Sequence, residues 1–232
     1  MRELNVFGKV EFVRSNRAHR ITVKILSDGL RVSLPYRSSE IEATRFILDN
    51  QNVILSKQAR IRAKRVNTLV TPEKEISTRT FTIKVKYTNR SDVFFSLKDA
   101  FLWIEIPEEA NINTSQVQEI CWNGINYFLK KEAKRILPEQ VKKLADQYGF
   151  KYSSVKIQSS KTRWGSCSKT RNINLSFYLM LLPSHLADYV ILHELCHTLE
   201  MNHGERFWKL MDEVTGGKTK KLRAEMKRFA IP

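Results

Sequence analysis

Apolar and polar positions alternate along the start of the chain. The runs VEFV (10–13), ITVKIL (21–26) and LRVSLP (30–35) put every second side chain on one face, the period of a half-buried strand. Ser27-Asp28-Gly29 separates the last two runs with turn-forming residues, which predicts a hairpin. Over 39–65 the period lengthens to that of a helix with Ile41, Phe46 and Ile47 on one side, ending in a cluster of cations at Lys57, Arg60, Arg62, Lys64 and Arg65. Strand alternation returns over about 79–106, in FTIKVKY, VFFSL and LWIEIP. The front half, about residues 1–110, is therefore expected to be an antiparallel, β-rich domain.

The back half, 111–232, reads differently. Thr114 is a suitable N-cap for a helix running to Arg135, and Pro138 starts a second helix to Tyr148 that Gly149 can cap. The strands SVKIQSS and INLSFYL flank a polar segment, KTRWGSCSKT. Pro183-Ser184 then opens a helix through YVILHELCHTLEM, and two short helices follow around Thr215-Gly216-Gly217. The pattern is α+β, with small strands beside the helix that carries His193.

Composition changes this picture in one respect. The chain has 232 residues, 40 Lys plus Arg and 24 Asp plus Glu, a net charge of +16. The excess is present on both sides of residue 110, so it is not a detachable tail. Such a field favours anionic partners, with DNA or a nucleotide the candidates. The cluster Lys57–Arg65 and the terminal KTKKLRAEMKR are its densest parts, and a solvated helix face explains either equally well. Three separated cysteines argue against a disulfide framework and for a reducing cytosol. No apolar run reaches the ~18 residues of a membrane span, and the N-terminus lacks a signal-peptide core, so a cytoplasmic protein is expected.

The chemistry concentrates at His193-Glu194-Leu195-Cys196-His197. On a helix, residues four apart point the same way, so two imidazoles face one point and suit a metal of the zinc class. Glu194, next to the first ligand, is placed to act as general base toward an attacking water. His203 follows six residues later, a spacing that leaves the helix and turns back, and Asn202 is expected to make that turn in the left-handed conformation. Three of the five histidines thus fall within eleven residues. Three histidines with one open position describe a catalytic rather than a structural site, holding one Zn²⁺ per chain. Glu205 and Glu213 are rival third ligands. Cys196 is expected to pack as a small apolar group.

A second segment, Arg163-Trp164-Gly165-Ser166-Cys167-Ser168, places glycine where a tight turn or a close backbone approach is needed. Read alone, a buried Trp anchoring a hairpin explains it.

RWGSCS, YVILHELCH and NHGERFW together resemble the YgjP-like metallopeptidases, relatives of the SprT and Wss1-type HExxH proteases, over most of the chain. The resemblance implies a zincin-like catalytic half with zinc on His193, His197 and His203 and Glu194 as base. It also implies a site role for Arg163, Trp164 and Ser166, here taken as substrate-binding, and packing of Phe207 and Trp208 between the terminal and metal helices. The ligand spacing equals that of metzincins, but Glu200 stands where those enzymes need Gly.

A zinc metallopeptidase acting on a polypeptide is the expected function. Strand 172–177 is the candidate edge for an extended substrate, and Arg163 a candidate for stabilising the developing oxyanion. Two other readings stay open: hydrolysis of a nucleotide phosphoanhydride by the same site, and a nucleic-acid-associated protease or binding module.

Overall fold

The computed structural model of the protein describes residues 2–26 and 28–232, with side chains except at residues 2, 3 and 62–68. Ser27, part of the expected turn, lies outside these residues, as do the side chains of Arg62, Lys64 and Arg65 from the expected basic cluster. The chain forms two compact units that divide between Leu69 and Val70.

In the first unit a 3-10 turn leads into β1 (Lys9–Arg14), β2 (Thr22–Ile25), β3 (Gly29–Leu34), α1 (Glu40–Asp49) and α2 (Gln51–Thr68). β2 and β3 form the expected hairpin, with Ile25 opposite Leu30. The single helix expected over 39–65 is two. At Asn50 the side-chain amide donates to the Phe46 carbonyl at 2.9 Å, competing with the helical ladder. The buried stripe is Ala43, Ile47 and Ile54, whereas Ile41 and Phe46 are exposed, so the expected apolar face is rotated. Leu30, Val32 and Leu34 complete this core.

The second unit holds β4 (Ile76–Ser77), β5 (Thr82–Thr88), β6 (Phe94–Lys98), β7 (Phe101–Pro107), α3 (Ser115–Tyr148), β8 (Ser154–Gln158), β9 (Gly165–Cys167), β10 (Asn172–Ser176), α4 (Ser184–Cys196), α5 (Glu205–Thr215) and α6 (Thr219–Met226). Thr114 caps α3 through its hydroxyl, which accepts from the Val117 amide, and Gly149 ends it in the left-handed region at φ 73°. The two helices expected around Pro138 are one, with the proline inside it. A continuous buried stripe (Cys121, Ile125, Leu129, Ala133, Leu137, Val141) carries the helix across the missing hydrogen bond.

Each sheet repeats one arrangement: the first strand of a trio lies parallel to the third, and the second pairs antiparallel with the third. The orders are β1-β3-β2, β4-β5-β7-β6 and β8-β10-β9. All three sheets are therefore mixed, and the two in the front half are not antiparallel as expected, because each short connection between second and third strands leaves only the far side of the third strand for the first. The class is α+β. The expected division at residue 110 differs from the division at 69, and the cause is packing. Ile83, Leu102, Ile104 and Ile106 on the inner face of the four-stranded sheet share one core with α3 and α4. Among the described residues no helix is long and apolar enough to cross a membrane.

Candidate metal centre

α4 is apolar on nearly every side: Leu186, Ala187, Ile191, Leu192, Leu195 and Cys196 are all buried. Such a helix is stable only inside a core, and here α3, β9, β10, α5 and α6 surround it. Gln140 on α3 donates to the Asp188 carboxylate and ties the two helices together. His193 stands in the last turn, and His197 is the C-cap residue.

The chain then turns back. The Thr198 hydroxyl donates to the Leu195 carbonyl at 2.7 Å, and Glu200 N–H bonds the Cys196 carbonyl at 2.9 Å. Asn202 does not take the left-handed conformation expected of it; among the described non-glycine residues only Asp99, Ala100 and Arg171 have positive φ. The helix has already ended at His197, and a bond from Gly204 N–H to the Asn202 carbonyl, 2.8 Å, closes the return.

That return brings three Nε2 atoms together. His193 and His197 are 3.2 Å apart, His197 and His203 3.2 Å, and His193 and His203 3.0 Å. The nitrogens of tetrahedral zinc ligands, with bonds of ~2.0–2.1 Å, lie roughly 3.3 Å from one another, so this triangle fits such an ion. His197 Nδ1 lies 3.0 Å from the Glu200 carbonyl, which can only accept. Nδ1 therefore carries the proton and Nε2 presents a lone pair to the cluster. Burial, aided by the charges of His197, His203 and Arg223, holds His193 down at about 3, and burial also lowers His197. Both are neutral near pH 7, as metal ligation requires.

Aromatic rings brace the cluster. Phe207, fully buried, stacks on His197 at 4.5 Å and 25°, and Trp208 stacks on His203 at 5.6 Å and 25°. The expected aromatic pair thus packs on the imidazoles themselves. Cys196 is buried and its thiol is pushed up to about 12 by burial and then by Glu213, so it packs as expected. The three-residue cluster contains neither Glu205 nor Glu213.

Glu194 is 5% exposed. Burial lifts its carboxyl to about 8, with the Arg163 charge opposing. Its neighbour across the site is Gly165 on β9: a Cβ there would stand 2.7 Å from Glu194 Oε1 and from its Cγ. The close backbone approach expected of this glycine is made to the candidate base.

β10, the expected substrate edge, pairs on both sides, with β8 and β9, and has no free edge. The edge beside α4 is β9, because the polar segment between the two expected strands itself adds a strand outside β10. Of the other expected site residues, Arg163 and Trp164 line a cavity of about 460 Å³ with His193, Glu194 and His203. Ser166 lines an adjoining hollow, about 350 Å³, with Cys167, Met201 and the three histidines, and Arg163, Gly165 and Glu194 border both. Arg223, Tyr189 and Trp208 also line the first cavity. Arg223 was legible only as one cation in a basic tail, since its place at the site depends on how α6 folds back onto α4.

Comparison with known proteins adds the family. The description "YgjP-like, metallopeptidase domain" matches residues 19–229. No curated protein matches the chain. Among solved structures, the metallopeptidase zymogen of Pyrococcus abyssi abylysin is similar at 22% identity, over 40% of this chain and 95% of that one, with a TM-score of 0.37. The metallopeptidase zymogen of Methanocaldococcus jannaschii jannalysin is similar at 23% identity, over 39% of this chain and 93% of that one, with a TM-score of 0.35. With nine-tenths of its length matched by the family description, the chain belongs to the YgjP-like metallopeptidase family.

Proposed function

We propose that this chain is a zinc-dependent peptidase in which His193, His197 and His203 hold the metal and Glu194 is the general base. The observation that carries the reading is the triangle of Nε2 atoms, 3.0–3.2 Å on each side, with a buried carboxylate one residue from its first member. Bound there, zinc would supply Lewis-acid polarisation of water and of the scissile carbonyl. With the charge of a bound cation offsetting the burial that raises it, the Glu194 carboxylate accepts a proton from the attacking water and returns it to the leaving amine. Its low exposure keeps bulk water from competing for that proton. The Arg163 guanidinium offers donors to the developing oxyanion.

The substrate is read as a polypeptide because two adjoining hollows border the histidines and, among the described residues, β9 leaves one edge unpaired for an extended chain. Backbone pairing along β9 would align the substrate, and the hollows would take its side chains.

The test pairs zinc-loaded wild type with Glu194→Gln, each incubated with denatured proteins and nucleoside triphosphates and followed by mass spectrometry. New peptide termini made by the wild type alone support the reading. Nucleotide breakdown by the wild type alone, with the proteins intact, overturns it.

A further inference from the structure

We propose that the cavity on the Trp164–Trp208 side of the histidine cluster is a carboxylate-recognising subsite, with Arg223 its main cation. It would select a peptide carrying negative charge just beyond the scissile bond on the C-terminal side. The inference rests on the peptidase reading above and names the substrate class of that same site.

Arg223 sits on α6, and its guanidinium carbon lies 4.8 Å from the centre of the Trp208 ring. Trp208 in turn stacks on His203. The cation is thus fixed one aromatic layer from a candidate metal ligand. A guanidinium resting on an aromatic ring keeps its N–H donors available for a planar, bidentate acceptor such as a carboxylate. Arg163 lines the same cavity, and the one carboxylate in its lining is Glu194. Neither arginine makes a salt bridge among the described residues. Glu225, the acid on α6, is held instead by His185 at 2.9 Å. Two guanidiniums face one carboxylate, and that carboxylate is assigned to the proton transfer.

The direction of the substrate follows from β9. A peptide pairing antiparallel with its free edge runs against the order Gly165, Ser166, Cys167. Its N-terminal part then lies over the Ser166 and Cys167 hollow, and its C-terminal part enters the cavity beside Trp164. There Trp164, Tyr189 and Trp208 strip water from whatever enters. A neutral side chain would leave the Arg223 guanidinium partly desolvated and unpaired, a lysine would be repelled, and a carboxylate satisfies it.

Carboxylates come from two sources, an internal Asp or Glu and a free C-terminus, and the experiment separates them. Dye-labelled peptides of one alanine-rich sequence carry Glu, Gln or Lys centrally with an amidated end, and a further Gln peptide keeps its free carboxylate. Binding to zinc-loaded Glu194→Gln is followed by anisotropy, with Arg223→Glu and Arg223→Lys made in the same background. Tighter binding of the Glu peptide than of the Gln amide, by about tenfold or more, is expected for side-chain recognition, with Lys weakest. A gain confined to the free acid assigns the subsite to a chain terminus. Arg223→Glu should invert the order of Glu and Lys, and Arg223→Lys should keep it. Equal affinities for all four peptides, or a preference that survives Arg223→Glu, would overturn the proposal. Cleavage by zinc-loaded wild type is measured in parallel. Charge preference without cleavage keeps the subsite and removes the peptidase reading; cleavage without charge preference does the reverse.

Discussion

Gly165 lies so close to Glu194 that a single methyl group at residue 165 would stand 2.7 Å from the carboxylate oxygen Oε1. β9 therefore confines the candidate base, and any side chain at this position must displace it. Gly165→Ala must push Glu194 aside, and the three atoms nearest the added methyl all belong to Glu194 rather than to a histidine. Displacement of a catalytic group by ~1 Å costs on the order of a hundredfold in rate. The expected result is a drop of that size in kcat/KM with zinc content unchanged. Full activity in Gly165→Ala would show that the carboxylate position is not critical.

In the metal-free protein, two groups of the site pull stability in opposite directions as pH changes. His193 is held at about 3 by burial and neighbouring positive charge, below its ordinary 6.5. The unfolded chain binds a proton that the folded one refuses, so this stability is present above 6.5 and is lost on acidification toward 3. Glu194 is raised from 4.5 to about 8 by burial. The fold keeps a proton the unfolded chain gives up, so its contribution is full below 4.5 and is lost as pH rises through 8. Between 4.5 and 6.5 the slope of His193, to which the lowered His197 adds, opposes that of Glu194, and above 6.5 the histidine slopes fade and Glu194 prevails. Metal-free wild type should lose stability over that upper window with a slope below ~1.4 kcal/mol per pH unit, the limit for one proton. Glu194→Gln should be flat there, and denaturant melts across the window decide it. Identical slopes in the two proteins would remove the assigned cause.

Phe207 joins stability to the site, because its fully buried ring stacks on His197. Phe207→Ala is expected to cost ~3–5 kcal/mol of stability through the lost burial and the cavity left behind. It should also weaken zinc affinity by roughly tenfold or more by freeing the imidazole it supports. Urea melts with and without zinc separate the effects: the metal should stabilise the variant less than it stabilises the wild type.

Pro138 gives a prediction of opposite sign. It sits inside α3, where it removes one backbone hydrogen bond and crowds the preceding turn. Pro138→Ala should raise thermal stability, by up to ~3 kcal/mol if the helix closes without strain. A lower melting temperature would mean that the neighbouring packing requires the proline's distortion.

What the sequence conveyed about these features depended on the range of the interactions behind them. The β2–β3 hairpin, the Thr114 and Gly149 caps of α3 and the convergence of His193 with His197 are set by neighbours within a few residues, and each was legible. Pro138 read as a break because local propensity opposes a proline inside a helix; the buried stripe from Cys121 to Val141, a tertiary effect, carries the helix through. The parallel pairings of β5 with β7 and β8 with β10 depend on which edge remains open after the nearby strands have paired, and alternation does not encode that. The same cause moved the free edge from β10 to β9. The role of Arg223 is not legible in the sequence because its meaning comes from Trp208, fifteen residues away, and from the fold of α6.

The central claim is that three histidines hold one catalytic zinc, and His203 is the member that the helical spacing does not guarantee. It is exposed, so His203→Ala should leave the fold intact, as circular dichroism would verify. The direct measurement is zinc affinity and stoichiometry by competition with a chromogenic chelator, for wild type, His203→Ala and His185→Ala, the last removing a histidine bonded to Glu225 outside the cluster. One zinc per chain is expected in wild type and His185→Ala, with affinity lower by about a hundredfold or more in His203→Ala. Zinc bound as tightly by His203→Ala as by wild type would contradict the three-histidine centre.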